Sequence, residues 1–299
     1  MNLKIVGSGG CTCLPRPLCY CNICEEAREK GKPFARSGPA LYIEDIKLLV
    51  DTPEDIAEAL NYNRIREIDS VLYSHWDPDH TLGMRIFEQL RLNWEQVSIG
   101  IENDNPISVF ALSEVCEDVK AIRNRFGSFL DYYQNKRNLI KLVPVESSTV
   151  IGDIKITFVP IGAATVFVFE QKDEKVIYAP CDVKPFPDNE IFQNSDLMII
   201  GNTLPVDIVK NNFHIKDDNP LKEELFTMDE VVGIKNKYNI PRVIVTHLEE
   251  DWGLSYTGYE ELSKQFDNIT FAFDGMSIDM QLVKKENSSL VDTSNVKKI

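Results

Sequence analysis

Histidine is scarce in this chain, with four among 299 residues. No apolar run reaches the roughly 20 residues that a bilayer-spanning helix needs, so the sequence offers no membrane segment. The stretch Met1-Asn2-Leu3-Lys4-Ile5-Val6-Gly7 lacks the long apolar region of a secretory signal and reads as a first strand, which places the protein in the cytoplasm. Basic residues are also short, 32 against 47 acidic ones, for a net charge of −15. That balance argues against duplex DNA or bulk RNA as the main partner, because phosphate backbones bind through Lys and Arg footprints. A small phosphorylated molecule in a local basic pocket stays compatible with it. The seven cysteines lack the even spread of a disulfide framework, since five crowd between Cys11 and Cys24. In a reducing compartment such crowding points to a metal. Repeats, low-complexity tracts and linkers are missing as well.

What is present is concentrated in Ser74-His75-Trp76-Asp77-Pro78-Asp79-His80. Two of the four histidines fall within six positions here, with two carboxylates between them. An apolar stretch over 68–73 reads as a buried strand before the loop, and 82–92 reads as a helix after it. Side chains leaving a strand end into a short loop can converge on one point, and His nitrogen with Asp oxygen suits zinc, iron or manganese. The plainer alternative is a solvated polar loop. Against it stand the apolar neighbours on both sides and the density of donors in H-x-D-x-D-H. Two more candidate ligands directly follow apolar strands: Asp182 after 176–179, and His247 after Val243-Ile244-Val245-Thr246. Ligands gathered from several strand ends are how a rigid sheet builds a metal site.

Strands and helices interleave along the chain, which predicts one α/β domain over residues 1–283 and a polar, frayed tail over 284–299. Thr52 before Pro53 reads as a helix N-cap. Residues 97–101 and 107–111 read as strands, 113–136 as one long helix, and 202–219 as an irregular polar segment.

In order, His75, Asp77, Asp79, His80, Asp182 and His247 resemble the metallo-β-lactamase superfamily, with its H-x-[HED]-x-D-H, third His, bridging Asp and final His. An early C-x-C-x-x-C (Cys19, Cys21, Cys24), a strand ending near Asp51 and a closing Phe273-Asp274-Gly275-Met276 make the chain similar to the phosphoribosyl cyclic phosphate phosphodiesterase subgroup. The resemblance spans nearly the whole chain. It implies an αββα four-layer sandwich with the ligands on one edge of the paired sheets. It also implies a metal-dependent hydrolase acting on a small cyclic or nucleotide-like phosphodiester through an activated water. A thioester or lactone hydrolase on the same scaffold, and a degenerate member that binds without turnover, are the alternatives; a homodimer is compatible with all three.

Two departures shape the expected centre. Asp77 replaces the usual second His, a harder ligand that shifts preference toward manganese or iron. The third His is missing: Ile161-Gly162-Ala163-Ala164 stands there, and no histidine lies between His80 and His214. The resemblance therefore implies one firm ion on Asp79, His80, Asp182 and His247, and a weaker or absent second on His75, Asp77 and Asp182, with zinc, manganese or iron as the metal. Asp79 would also orient the water, and His214 is the available leaving-group acid unless it is a surface histidine. Cys19, Cys21 and Cys24 would hold a structural zinc, completed by Glu250, where relatives have His, or by Cys11 or Cys13. Lys32 and Arg36 are candidates to meet a substrate phosphate, against solvated surface charges. Trp76 and Trp252 either wall the pocket or pack in the core. Cys116 reads as packing, and Cys181 as a support beside Asp182 that does not itself bind metal.

Overall fold

Alternation of apolar side chains decides the layering. In the strand Glu174–Ala179, Val176 and Tyr178 join one buried cluster while Ile177 and Ala179 join another. Successive strand residues point to opposite faces, so a strand apolar on both must be covered on both. The computed structural model describes residues 1–296, with side chains through residue 288, and shows two seven-stranded sheets. The first runs Ser277–Asp279, Asn2–Gly7, Ala40–Ile43, Leu48–Val50, Ser70–Leu72, Ile107–Leu112, Ile140–Val145. The second runs Ile269–Phe271, Val243–Val245, Leu197–Ile200, Glu174–Ala179, Ala164–Gln171, Ile154–Ile161, Ser148–Ile151.

Ile5, Leu41 and Val71 of the first sheet share one buried cluster with Phe158, Phe167, Tyr178 and Ile199 of the second. On the far face of the second sheet, Val168, Ile200 and Val245 pack with Val231 of the helix Met228–Lys237 and with Tyr259 and Leu262 of the helix Tyr256–Ser263. Helices Ile56–Tyr62 and Ser113–Lys120 bury Ile56, Ala59, Val115 and Val119 against the first sheet's cluster. The four-layer αββα order is the observed one. Among the described residues, no helix is long and apolar enough to cross a membrane.

Parallel pairing aims the site. Leu48–Val50 lies parallel to Ser70–Leu72, with Val50 opposite Leu72. In the other sheet Ala179 pairs with Ile200 and Ile200 with Val245, both in parallel. Residues just beyond the carboxyl ends of these strands are Asp51, the 74–80 loop, Cys181 with Asp182, and His247. A bridge from Gly9 to Leu248 joins the turn after Asn2–Gly7 to the segment after Val243–Val245.

Several local expectations give way to side-chain capping. Residues 97–101 are not a strand; Trp94–Ser98 is helical because the Asn93 side chain accepts from the Glu95 and Gln96 amides, which outweighs the weak alternation. The long helix over 113–136 stops at Lys120, and a hairpin of Arg123–Asn124 with Gly127–Ser128 follows. Ser128 then caps a new turn. Thr52 does not cap a helix, since its hydroxyl bonds the Tyr73 hydroxyl at 2.9 Å and the helix starts at Ile56. The segment over 202–219 holds a small hairpin, Ile208–Val209 with Phe213–His214. The region beyond Lys284 is helical rather than frayed, within Met280–Val296. Lys284 bonds Asp173 and Asn287 reaches the Asp196 carbonyl at 3.1 Å; residues 297–299 of the expected tail lie outside the described residues.

Asp274 of the closing motif explains why that motif matters. It is 2% exposed and accepts from the Ser8 amide at 2.9 Å, the Ser8 hydroxyl at 2.8 Å, the Ser37 amide at 2.8 Å and Lys32 Nζ at 2.8 Å. Removing one partner of a buried pair strands the other charge. Asp274→Ala is expected to lower unfolding free energy by about 3–5 kcal/mol in urea titrations; an unchanged midpoint would show that the carboxylate holds nothing together.

Candidate active site

The site begins with Asp51, fully buried at the end of its strand. It takes the left-handed conformation, φ 64°, which a short polar side chain such as Asp tolerates better than most. Its carboxylate accepts from the Ser74 amide at 2.8 Å and the Ser74 hydroxyl at 2.7 Å, and pairs with His80 Nδ1 at 2.8 Å. Ser74 Oγ in turn meets His75 Nδ1 at 2.9 Å. From the other sheet, Glu249 sits 3.2 Å from His247 Nδ1 and is itself held by the Thr12 amide and hydroxyl at 2.7 and 2.5 Å. All three imidazoles are therefore held at Nδ1, which leaves each Nε2 for the site interior. Orientation of ligating histidines through their other nitrogen is the usual support of a metal centre.

The donors of Asp79, His80 and His247 form a triangle. His80 Nε2 and His247 Nε2 are 3.3 Å apart, and Asp79 Oδ2 lies 3.5 and 3.3 Å from them. A tetrahedral zinc about 2.0–2.1 Å from each donor would hold its ligands about 3.3 Å apart. Asp79 Oδ2 and His75 Nε2 are buried without a hydrogen-bond partner, as expected of atoms shaped for a cation. The residues present thus fit a divalent ion.

The local field agrees. Burial opposes charge on His75, yet Asp77 and Cys181 outweigh it and push its pKa up to about 10. His247 is raised well above its ordinary value although burial opposes it, because Cys181, Asp79 and Glu249 surround it. Burial works against an ionised Asp79, but His247 and His80 hold it far below the usual carboxylate range. A buried pocket that favours positive charge this strongly is what a cation requires.

The expected ligands fall into two neighbouring groups, Asp79, His80 and His247 inside, and His75, Asp77 and Asp182 toward the surface. Asp182, expected to bridge both ions, joins only the outer group and is exposed. The residue turned inward is Cys181, 7% exposed and grouped with His75 and His80. Strand-end geometry accounts for the exchange: adjacent residues leave the chain on opposite sides, and Asp182 has φ 52°.

Other candidates are placed elsewhere. His214 stands exposed on its short hairpin and belongs to none of the ligand groups. Lys32 is committed to Asp274 at 2.8 Å and lies over the Tyr62 ring. Arg36 is 4% exposed, bonds the Leu254 carbonyl at 2.9 Å and stacks on Tyr259. Neither cation is a free phosphate partner; both knit the fold. Trp252 packs with Leu204 and Ile215, whereas Trp76 in the ligand loop is 46% exposed. Cys116 is buried beside Val115 and Val119 in the core.

Asp51 and Glu249 went unassigned in the sequence reading. Asp51 had a signal, a carboxylate ending a strand next to the His loop. Glu249 had one too, two residues after His247, but the neighbouring Glu250 drew the assignment.

The Cys19, Cys21, Cys24 and Glu250 donors lie within 4.8 Å of one another. Glu250 Oε1 is 3.6, 3.3 and 3.2 Å from the three sulfurs, while Cys11 bonds Glu249 and Cys13 bonds the Pro15 carbonyl. Of the three proposed fourth ligands, the geometry favours Glu250. Lys210 reaches into the cluster, bonding Glu250 Oε1 and, at 3.1 Å, Cys19 Sγ. The Cys21 amide and this ammonium hold the Cys19 thiol below its ordinary pKa. Among the described residues the buried apolar support of the loop is Leu14, Cys24 and Ala27, with Ile23 and Ala35 partly buried against them, so a bound ion would supply what so small a cluster does not. Cys21→Ser is expected to remove about one zinc per chain, measured by elemental analysis against protein concentration, and to make the loop over 11–24 sensitive to proteolysis. Unchanged zinc content would argue against the cluster as a site.

No family model matches the sequence, and no curated protein does either. Solved structures match it along its length. A diphosphatase from the PhnP family aligns over 93% of this chain and 96% of its own, with TM-score 0.66 and 19% identity. Zinc-bound PqqB from Methylobacterium extorquens aligns over 93% and 100%, with TM-score 0.70 and 17% identity. YhfI from Bacillus subtilis, a metallo-β-lactamase fold protein, aligns over 93% and 98%, with TM-score 0.59 and 15% identity. The chain therefore has the metallo-β-lactamase fold.

Proposed function

We propose that the chain is a metal-dependent hydrolase of small phosphodiesters. The observation that carries this reading is the Asp79–His80–His247 triangle, whose edges match a tetrahedral ion. The diphosphatase among the similar structures supports the choice of a phosphoryl substrate. When bound, a divalent ion supplies Lewis acidity and brings the pKa of a water toward ~7.

The chain's own residues do the rest. Asp51 and Glu249 keep His80 and His247 in the tautomer that presents Nε2, and Ser74, itself held by Asp51, does the same for His75. Asp79 would hold the ion through one oxygen, and its carboxylate would orient the attacking water. His75, Asp77 and the exposed Asp182 form the outer donor group, positioned for a second ion or for substrate water. His214, exposed on its hairpin and outside the donor groups among the described residues, is given no role as a metal ligand. The acidic surface is consistent with a small substrate rather than a nucleic-acid strand.

Bis(p-nitrophenyl) phosphate, offered to protein loaded separately with zinc, manganese and iron, is expected to be hydrolysed, with activity abolished in His247→Ala. Glu249→Gln is expected to lose about 10–100-fold in metal affinity or turnover, as removal of a ligand's supporting partner does. Turnover confined to thioesters or lactones would redirect the substrate class. Metal bound without turnover of any ester would make the chain a binding protein instead.

A further inference from the structure

We infer that the Cys181 sulfur, rather than the Asp182 carboxylate, is the ligand shared between the inner and outer donor groups, which makes the centre a mixed nitrogen, oxygen and sulfur site. The inference rests on the metal-centre reading above. Cys181 follows Pro180 at the end of an apolar strand and turns inward, 7% exposed, while Asp182 faces out. Its sulfur lies within 4.8 Å of ligand atoms on both His75 and His80. His75 belongs also to the outer group and His80 to the inner one, so Cys181 stands at the seam. Asp182 is grouped with His75 and Asp77 and not with the inner donors.

A buried thiol can be simple packing, and Cys116 shows what that looks like here. Cys116 sits among apolar side chains with its sulfur 3.7 Å from the Ala111 carbonyl. Cys181 instead faces imidazoles, and it also meets Asp182 Oδ1 at 3.8 Å. Independently, among the described residues His75 Nε2 is buried without a hydrogen-bond partner, its nearest carboxylate, Asp77, standing off at 3.6 Å. An orphaned nitrogen in the same donor group as a buried thiol is costly unless something binds both. A thiolate is soft and favours zinc over manganese, offsetting the hard oxygen that Asp77 contributes.

Cadmium-113 resonance frequencies report the number of sulfur ligands. Wild-type protein loaded with cadmium is expected to give one resonance at the low field of three thiolates, from Cys19, Cys21 and Cys24. A further one, from the histidines, should be displaced downfield of a nitrogen–oxygen site by one sulfur. Cys181→Ser should move the second into the nitrogen–oxygen range and leave the first unchanged. A second wild-type resonance already in that range overturns the inference alone, and this readout stands even if Cys181→Ser fails to fold. No second resonance at all overturns the inference together with the metal-centre reading.

Discussion

The grip of one buried carboxylate on its neighbours governs the site. Asp51 receives the Ser74 amide and hydroxyl and the His80 ring nitrogen, so the whole 74–80 loop is registered against the adjacent strand. A charge this deeply buried is expensive unless paired and fully hydrogen-bonded. Here the pairing imidazole passes its other nitrogen to the site interior. The field of the pocket and the geometry of the ligands are thus two expressions of one arrangement.

Glu249 plays the matching part from the second sheet, and it depends on a missing side chain. A Cβ at Gly10 would collide with Glu249 Oε1 and His247 Nδ1, so the Gly-rich turn after the first strand is required by close approach. Thr12 then anchors Glu249 from the same turn. The cysteine loop that continues from this turn joins Glu250, so consecutive glutamates face two donor groups. Glu249 meets the His247 ring, and Glu250 meets the three thiols.

Much of the architecture was legible because strand alternation and strand-end polar residues are local signals. That His75, Asp77, Asp79, His80 and His247 gather in one place could be read from order and spacing. What could not be read was which of two adjacent residues turns inward, because that depends on backbone torsions at Asp182. The partners of Lys32 and Arg36 could not be read for a related reason: Asp274 and the Leu254 carbonyl lie far away in sequence. Helix ends over 94–136 were missed because Asn93 and Ser128 act through single side-chain hydrogen bonds, which apolar periodicity does not report.

The two halves of the polypeptide each bring an incomplete set of donors to the sheet edge. His80 and His247, whose ring nitrogens nearly touch, are separated by 167 positions. The Gly9–Leu248 bridge and the Ser8–Asp274 bond close a loop of similar or greater span. Contacts of such long separation form late, after most chain entropy has been lost. During synthesis the emerging amino-terminal half would carry half a cage, unable to trap an ion selectively until its counterpart leaves the ribosome. A cation held by this cage would therefore be bound only once both halves have come together.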